Sequence, residues 1–303
     1  MTDATATPGN TADAGRFLAA IRLAETEPEI FDRAFHAMPQ YVPWPKAYGG
    51  DAIAQAAAAA LATVEADRQL HSLHSTFLRP VQPGELVRYE VEQLRDGRGY
   101  STRHVRGYQA GKAVFLTTAS FQVPEPGPRR QPTMPDVPAP EGLSTTAEAL
   151  APLEESAATA YWAHGRSFDV RHVSSPLYTS EAQTPAKGNG RDAESQGVWV
   201  RAFEALPSDA RIQQLALAYV CDYTILEPSL RALGLDWSSP TLFTASLDHS
   251  MWFHRPARAD EWLLFAQESA GVGSGRALGH GRFFTRGGDL VATVMQEGVI
   301  RQG

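Results

Sequence analysis

Two stretches of this chain carry the same order of features, and that repetition limits the fold more than anything else in the sequence. Each stretch runs for roughly 50 residues, the length of a supersecondary unit. In the first, Phe77 stands just ahead of Arg79-Pro80, and Glu85 follows the proline by five positions. In the second, Phe253 stands ahead of Arg255-Pro256, and Glu261 follows by the same interval. Each then continues with an apolar strand pattern, a glycine-rich turn, an arginine-containing strand, a further glycine turn and a last apolar strand. The strand-like segments of the first copy are residues 71–78, 86–94, 100–109 and 113–123, with glycine or proline in every separator. A duplicated antiparallel meander is the expectation.

A helical segment precedes each meander. Residues 51–64 (DAIAQAAAAALATV) contain little besides alanine and larger apolar side chains, which favours helix and lets a sheet wrap closely around it. Gly49 and Gly50 stand at its start, where the first amides of a helix are open to a ligand carbonyl or phosphate. Residues 211–226 (RIQQLALAYVCDYTIL) repeat apolar side chains at helical spacing and read as one continuous helix. Between the copies, residues 124–142 are proline-dense and read as an extended linker without a core of its own. A short helix is expected over residues 143–160, strands over 166–173 and 197–202, and a surface loop over 181–196. Near the N-terminus, residues 16–24 read as a short helix and 29–37 as a strand. The division that follows is an N-terminal unit over 16–123, a linker over 124–160 and a C-terminal unit over 161–303. Each unit is one central helix plus an antiparallel sheet, an α+β class.

Asp222 falls on the apolar stripe of the second helix. A carboxylate there is costly unless it is paired or hydrogen-bonded, so it is either a structural ion pair or a working group. The net charge of −7 argues against nucleic acid as the main partner. The single cysteine, Cys221, forbids an internal disulfide, and its place beside Asp222 in an apolar helix marks it as packing rather than nucleophile. The opening residues lack the basic and apolar parts of a signal peptide, and no apolar run is long enough to span a bilayer. A cytoplasmic protein is expected.

The stretches HSLHSTFLRP, LRDGRGYSTRHV, ASFQVPEPG, SLDHSMWFHRP, EWLL and QEGVIR, in that order, resemble those of the type II acyl-CoA thioesterases, the TesB-like family. The likeness runs from about Phe17 to Arg301. It implies a double hotdog fold and hydrolysis of acyl-CoA to a free fatty acid and coenzyme A, without metal or other cofactor. In that family a carboxylate, a hydroxyl and a glutamine hold the lytic water. Carried over by motif, these are Asp222 in AYVCDYTIL, Ser246 in TASLDHSMWF and Gln296 in VMQEGVIR. Ser246 stands where relatives often have threonine, which keeps the hydroxyl. Asp51 stands where relatives often have glutamine.

The residue patterns support this unevenly. Gln296 shares strand parity with Leu290, Ala292, Val294 and Ile300, and an amide on an apolar face needs a partner. Ser246 shares parity with Thr244, Asp248 and Ser250, so its role rests on the resemblance. The first helix has alanine where Asp222 would sit, so one active site per chain is expected. Candidate contacts to substrate are Gly49, Gly50 and, for the coenzyme A phosphates, Arg79, Arg255, Arg276 and Arg282. His71 and His74, three apart in a strand, should point to opposite faces, and so should Asp248 and His249; neither pair suggests a metal site. The glycines at 271–275 fit neither a nucleophile elbow nor a dinucleotide loop. Exposed sheet edges make a homo-oligomer the expected assembly. Two rival functions remain: a hotdog hydratase or dehydratase acting on enoyl-CoA, and an acyl-CoA-binding protein without turnover.

Overall fold

The alanine-rich segment forms α2 (Gly49–Leu61), and every residue of it from Gly50 to Leu61 is buried. The computed structural model describes residues 15–178 and 194–302. The helix gathers the larger side chains of β2 (Arg33–Ala37), β3 (Gln69–Phe77), β4 (Val87–Asp96), β5 (Tyr100–Gln109) and β6 (Lys112–Gln122) around it. The second unit repeats this plan with β8 (Ser195–Ala202), α5 (Ala210–Val220), β10 (Asp248–Phe253), β11 (Leu263–Gly273), β12 (Arg276–Thr285) and β13 (Leu290–Gln302). Three further strands are β1 (Ala24–Thr26), β7 (Phe168–His172) and β9 (Leu242–Ser246).

One antiparallel sheet results, in the order β1-β2-β4-β5-β6-β3-β10-β13-β12-β11-β8-β7, with β9 paired to β13. The halves mirror each other about the β3–β10 seam, where Asp248 faces Thr76 and Trp252 faces Ser72. The order strand, helix, strand, meander is therefore the same in both copies, and this is the double hotdog that the repeats imply. α2 and α5 pack on each other inside one core that spans both units.

The helix expected over 211–226 is shorter than its periodicity suggests. α5 stops at Val220, Cys221–Tyr223 forms a 3-10 turn, and α6 (Glu227–Ala232) starts anew. The Tyr219 carbonyl, which an unbroken helix would use internally, accepts from the Tyr48 hydroxyl at 2.6 Å. Pro228 has no N–H for the Thr224 carbonyl, so a helix cannot run through that turn. The helix expected over 143–160 is likewise split into α3 (Thr146–Leu150) and α4 (Ala157–Ala160), each opened by a capping box, from Thr145 and Ser156. α1 (Gly15–Ala20) covers the first part of the N-terminal helix. Most of the loop expected over 181–196 lies outside the described residues, and its last two residues belong to β8.

The proline-dense segment is extended from Val123 to Ala139, and it is fastened to the outer face of the second unit. Met134, Val137 and Leu143 pack on Trp199, Trp262, Leu264, Phe284 and Leu290. Gln131 bonds the Gly288 carbonyl and the Leu290 N–H, and the Trp199 indole donates to the Pro138 carbonyl at 2.9 Å. Removing that indole donor (Trp199→Phe) should cost about 1 kcal/mol. It should also speed tryptic cutting at the exposed Arg129-Arg130, read as the rate of two-fragment formation under native conditions.

Candidate active site

The break after α5 decides where Asp222 points. On the 3-10 turn its carboxylate leaves the helix stripe and enters the junction of the two units, where it is partly exposed. Gln296 on β13 donates to Asp222 Oδ1 at 2.6 Å, and Ser246 at the end of β9 donates to the same oxygen at 3.3 Å. The Gln296 amide also donates to Ser246 Oγ at 3.0 Å. Ser246 and Gln296 meet because β9 pairs with β13, with Ser246 opposite Gly298. The strand parity read for Gln296 holds, and its side chain is 1% exposed. Leu247 interrupts the chain between β9 and β10, so parity arguments carried across it do not apply to Ser246.

The other wall of the site comes from the first unit. The first turn of α2 runs up to Asp222, and the Gly50 N–H bonds its carboxylate. Glycine is required at both positions by close approach. A Cβ on Gly49 would lie 2.6 Å from Asp222 Oδ2, and one on Gly50 would lie 2.2 Å from the Tyr219 carbonyl oxygen. Tyr48, just ahead of the helix, stacks on Tyr223 with centroids 4.8 Å apart, which clamps the start of α2 to the end of α5. The site is thus assembled from both copies, although the carboxylate, hydroxyl and amide all come from the second.

Electrostatics follow from this enclosure. Burial raises the Asp222 pKa to about 6, against the pull of Gln296, Ser246, the Lys46 charge and the Gly50 N–H. Lys46 was not anticipated. It bonds the Thr244 carbonyl and lies over the Phe243 ring at 5.5 Å; burial lowers its pKa while the Asp222 charge raises it. Asp51 is 1% exposed, takes the Gln40 backbone N–H at 2.9 Å and its amide at 3.1 Å, and is raised by burial to about 7. Burial first, and the Asp222 charge second, push the Cys221 thiol well up, as expected of a packing cysteine.

His249 was also missed. It is fully buried, bonds Gln296 Oε1 through Nδ1 at 2.8 Å and does not reach Asp222 directly. Its parity with Met251 and Phe253, both buried, was the available signal. Lys46, in a loop, carried none.

The arginines divide. Arg79 follows β3 just beyond Phe77, whose ring borders Gly49, so it lies at the same end as the site. Arg276 is held by Glu297 at 2.9 Å, one residue along from Gln296. Arg255 is not brought to the site: it follows the far end of β10, roughly 20 Å of strand from Asp248, and pairs with Asp289. Arg282 stands 3.6 Å from Glu268. His71 and His74 do not point apart. A register shift between Leu70 and Ser72 puts both on the outer face, where they bond Ser120 and Ser250. The glycines near 273 make the β11–β12 turn, with Ser274 and Gly275 both at positive φ. Among the described residues no group of three His, Cys, Asp or Glu side chains could hold a metal ion, and no helix is long and apolar enough to cross a membrane.

Known proteins resemble this chain over nearly its whole length. The family model for acyl-CoA thioesterase matches residues 169–299, and that for the acyl-CoA thioesterase N-terminal domain matches residues 40–122. Acyl-CoA thioesterase 2 of Haemophilus influenzae is 37% identical over 281 residues, covering 90% of this chain and 94% of the relative. The crystal structure of acyl-CoA thioesterase II TesB2 from Mycobacterium marinum superposes with a TM-score of 0.72 at 35% identity, covering 94% of this chain and 98% of that one. A hot dog fold protein from Alicyclobacillus acidocaldarius has a TM-score of 0.71 at 21% identity over 95% of this chain and 98% of its own, a likeness of fold alone. The chain belongs to the type II acyl-CoA thioesterase family, whose members hydrolyse acyl-CoA thioesters.

Proposed function

We propose that this chain hydrolyses fatty acyl-CoA with a water activated by Asp222. The observation that carries the reading is the split use of the carboxylate. Oδ1 is held by Gln296 and Ser246, while Oδ2 stands against the first turn of α2. Oδ2 takes a proton from the water as its oxygen bonds to the thioester carbonyl carbon. The resulting oxyanion is met by the Gly49 N–H at the start of α2, since the Gly50 N–H bonds the Asp222 carboxylate and the Asp51 N–H bonds the Tyr48 carbonyl. Collapse breaks the carbon–sulfur bond, and the proton on Asp222 passes to the departing thiolate. The products are a carboxylic acid and coenzyme A, and the carboxylate is restored. Gly49, Gly50, Arg79 and Arg276 are the proposed contacts to substrate. A hydratase reading, which would ask for an Asp/His pair, loses support from the geometry, since His249 is linked to Asp222 only through Gln296.

The test is thiol release from a series of saturated acyl-CoAs, with enoyl-CoA hydration measured in parallel. Thiol release is expected; hydration without it would overturn the reading. The pH profile is a second check. Asp222 accepts a proton only when ionised, so kcat/KM should rise with pH and be half-maximal near pH 6. Lys46→Met removes a charge that favours the ionised form, so the same limb should move to higher pH. An unshifted limb would mean that Lys46 does not act on the base.

The two units meet through the proposed site, with the chain divided near residues 123 and 161. β1 and β7 close the ends of the sheet, and pairing through sheet edges in a homo-oligomer is proposed on that ground. A cytosolic location is proposed from likeness to the bacterial relative.

A further inference from the structure

Gln296 can hold Asp222 only if its amide faces one way round. With the carboxylate ionised, the group 2.6 Å from Asp222 Oδ1 must be the amide nitrogen, because an amide oxygen there would be repelled. Both amide hydrogens are then engaged, one by Asp222 and one by Ser246 Oγ. The amide oxygen is turned away from the site, and its side-chain partner is His249 Nδ1 at 2.8 Å. An amide oxygen only accepts, so the Nδ1 of His249 carries the hydrogen. Nε2 is left as the acceptor, and it faces the Cys221 thiol at 3.6 Å.

The ring is fixed on every side. His249 is fully buried, its strand is paired with β3 and β13, and Cys221 sits on the turn that also carries Asp222. Burial holds its pKa at about 4, so it stays neutral through the working pH range and acts as a fixed donor. Nothing in the proposed hydrolysis uses His249 directly. Without it, a half-turn of the Gln296 amide would present oxygen to Asp222 and remove the donors to both Asp222 and Ser246.

We propose that His249 is a positioning residue for the hydrolysis: its Nδ1–H locks the orientation of the Gln296 amide, and through it the Asp222–Ser246 pair. This rests on the thioesterase reading above. It also changes the part played by Gln296, whose amide hydrogens serve the carboxylate and hydroxyl rather than the water.

The test compares His249→Asn, whose side-chain amide keeps a donor near the Nδ1 position, with His249→Leu, which keeps volume and loses the donor. Expected for His249→Leu is a fall in kcat of about 30-fold with KM changed less than about threefold. His249→Asn should recover most of that loss. In a Gln296→Ala background, His249→Leu should change kcat by less than about twofold, because the effect passes through the missing amide. A structural role alone would lower kcat by the same factor in both backgrounds, and that result overturns the proposal. Side-chain amide NMR gives a readout independent of turnover. The Gln296 signal, assigned by its loss in Gln296→Ala, should exchange slowly with solvent in the parent and in His249→Asn, and quickly in His249→Leu. Unchanged exchange in a folded His249→Leu variant overturns the proposal too. A parent protein that releases no thiol but shows the protected amide would sink the enzymatic reading and leave the orientation claim standing.

Discussion

Asp222→Asn should lower kcat by about 10³-fold or more while leaving KM within a few-fold, measured as thiol release at pH 8. General-base catalysis by a positioned carboxylate contributes on the order of 10²–10⁴ in rate, and an amide cannot accept the water's proton. The substitution keeps size, and its oxygen can still accept from Gln296 and Ser246, so the loss reports chemistry rather than collapse of the pocket. Retained activity would show that another group activates the water. The same pair of proteins carries a linkage prediction. The folded state raises the Asp222 pKa to about 6 from the ordinary 3.8. Between those values the native state binds more protons than the unfolded one, so stability falls as pH rises through the window and levels off above it. The amide of the variant does not titrate. The stability difference, parent minus variant, should therefore drop by about 2 kcal/mol between pH 4 and pH 7, as measured by denaturant unfolding at each pH. A difference that grows over this range would mean that the carboxylate is stabilised by its site, not strained by it.

Gly49→Ala should be nearly as damaging to turnover, by about 10²-fold in kcat, through one methyl group. The added carbon would stand 2.6 Å from Asp222 Oδ2 and 3.2 Å from the Phe77 ring, with the ring at the edge of β3 and the carboxylate already bonded on its other oxygen. Relief requires Asp222 to turn away from the water position, and misplacement of a reacting group by about 1 Å costs rates of this size. Gly99→Ala is the control, since a methyl there meets nothing within 4 Å. The two glycines make separate predictions. At Gly50 the collision is with the backbone carbonyl of Tyr219, which cannot swing aside, so Gly50→Ala should lower the melting temperature by several degrees, an expected cost of about 2 kcal/mol or more. Gly49→Ala should cost activity more than stability. If it keeps full turnover, Oδ2 is not the oxygen that faces the water.

Much of this was legible along the chain, for reasons that are local. The alanine run specifies a helix thin enough to be wrapped, and burial from Gly50 to Leu61 follows from it. The strands of both meanders are marked by alternation and by turn residues, and Tyr100–Gln109 is recovered to the residue. Gln296 announces itself as an amide on an apolar strand face. Pro228 bars a helix from running through the Thr224 carbonyl, but nothing within 211–226 marks the stop at Val220. Other features were hidden because they are set by pairs of segments far apart in sequence. The outward turn of both His71 and His74 comes from a bulge opposite β6, and no period-two rule applied to one strand can find it.

The sequence by itself determined the architecture and the family and nominated three polar residues, because periodicity, turn chemistry and motif order are properties of contiguous residues. Only the tertiary structure decided how those residues are placed. The Asp222 carboxylate leaves its helix stripe as a tyrosine some 170 positions upstream takes the Tyr219 carbonyl, its second oxygen faces a helix from the other repeat, and a buried histidine settles which way the glutamine amide turns. Distance, desolvation and hydrogen-bond direction are relations between groups, and they come into being only when the two copies close on each other.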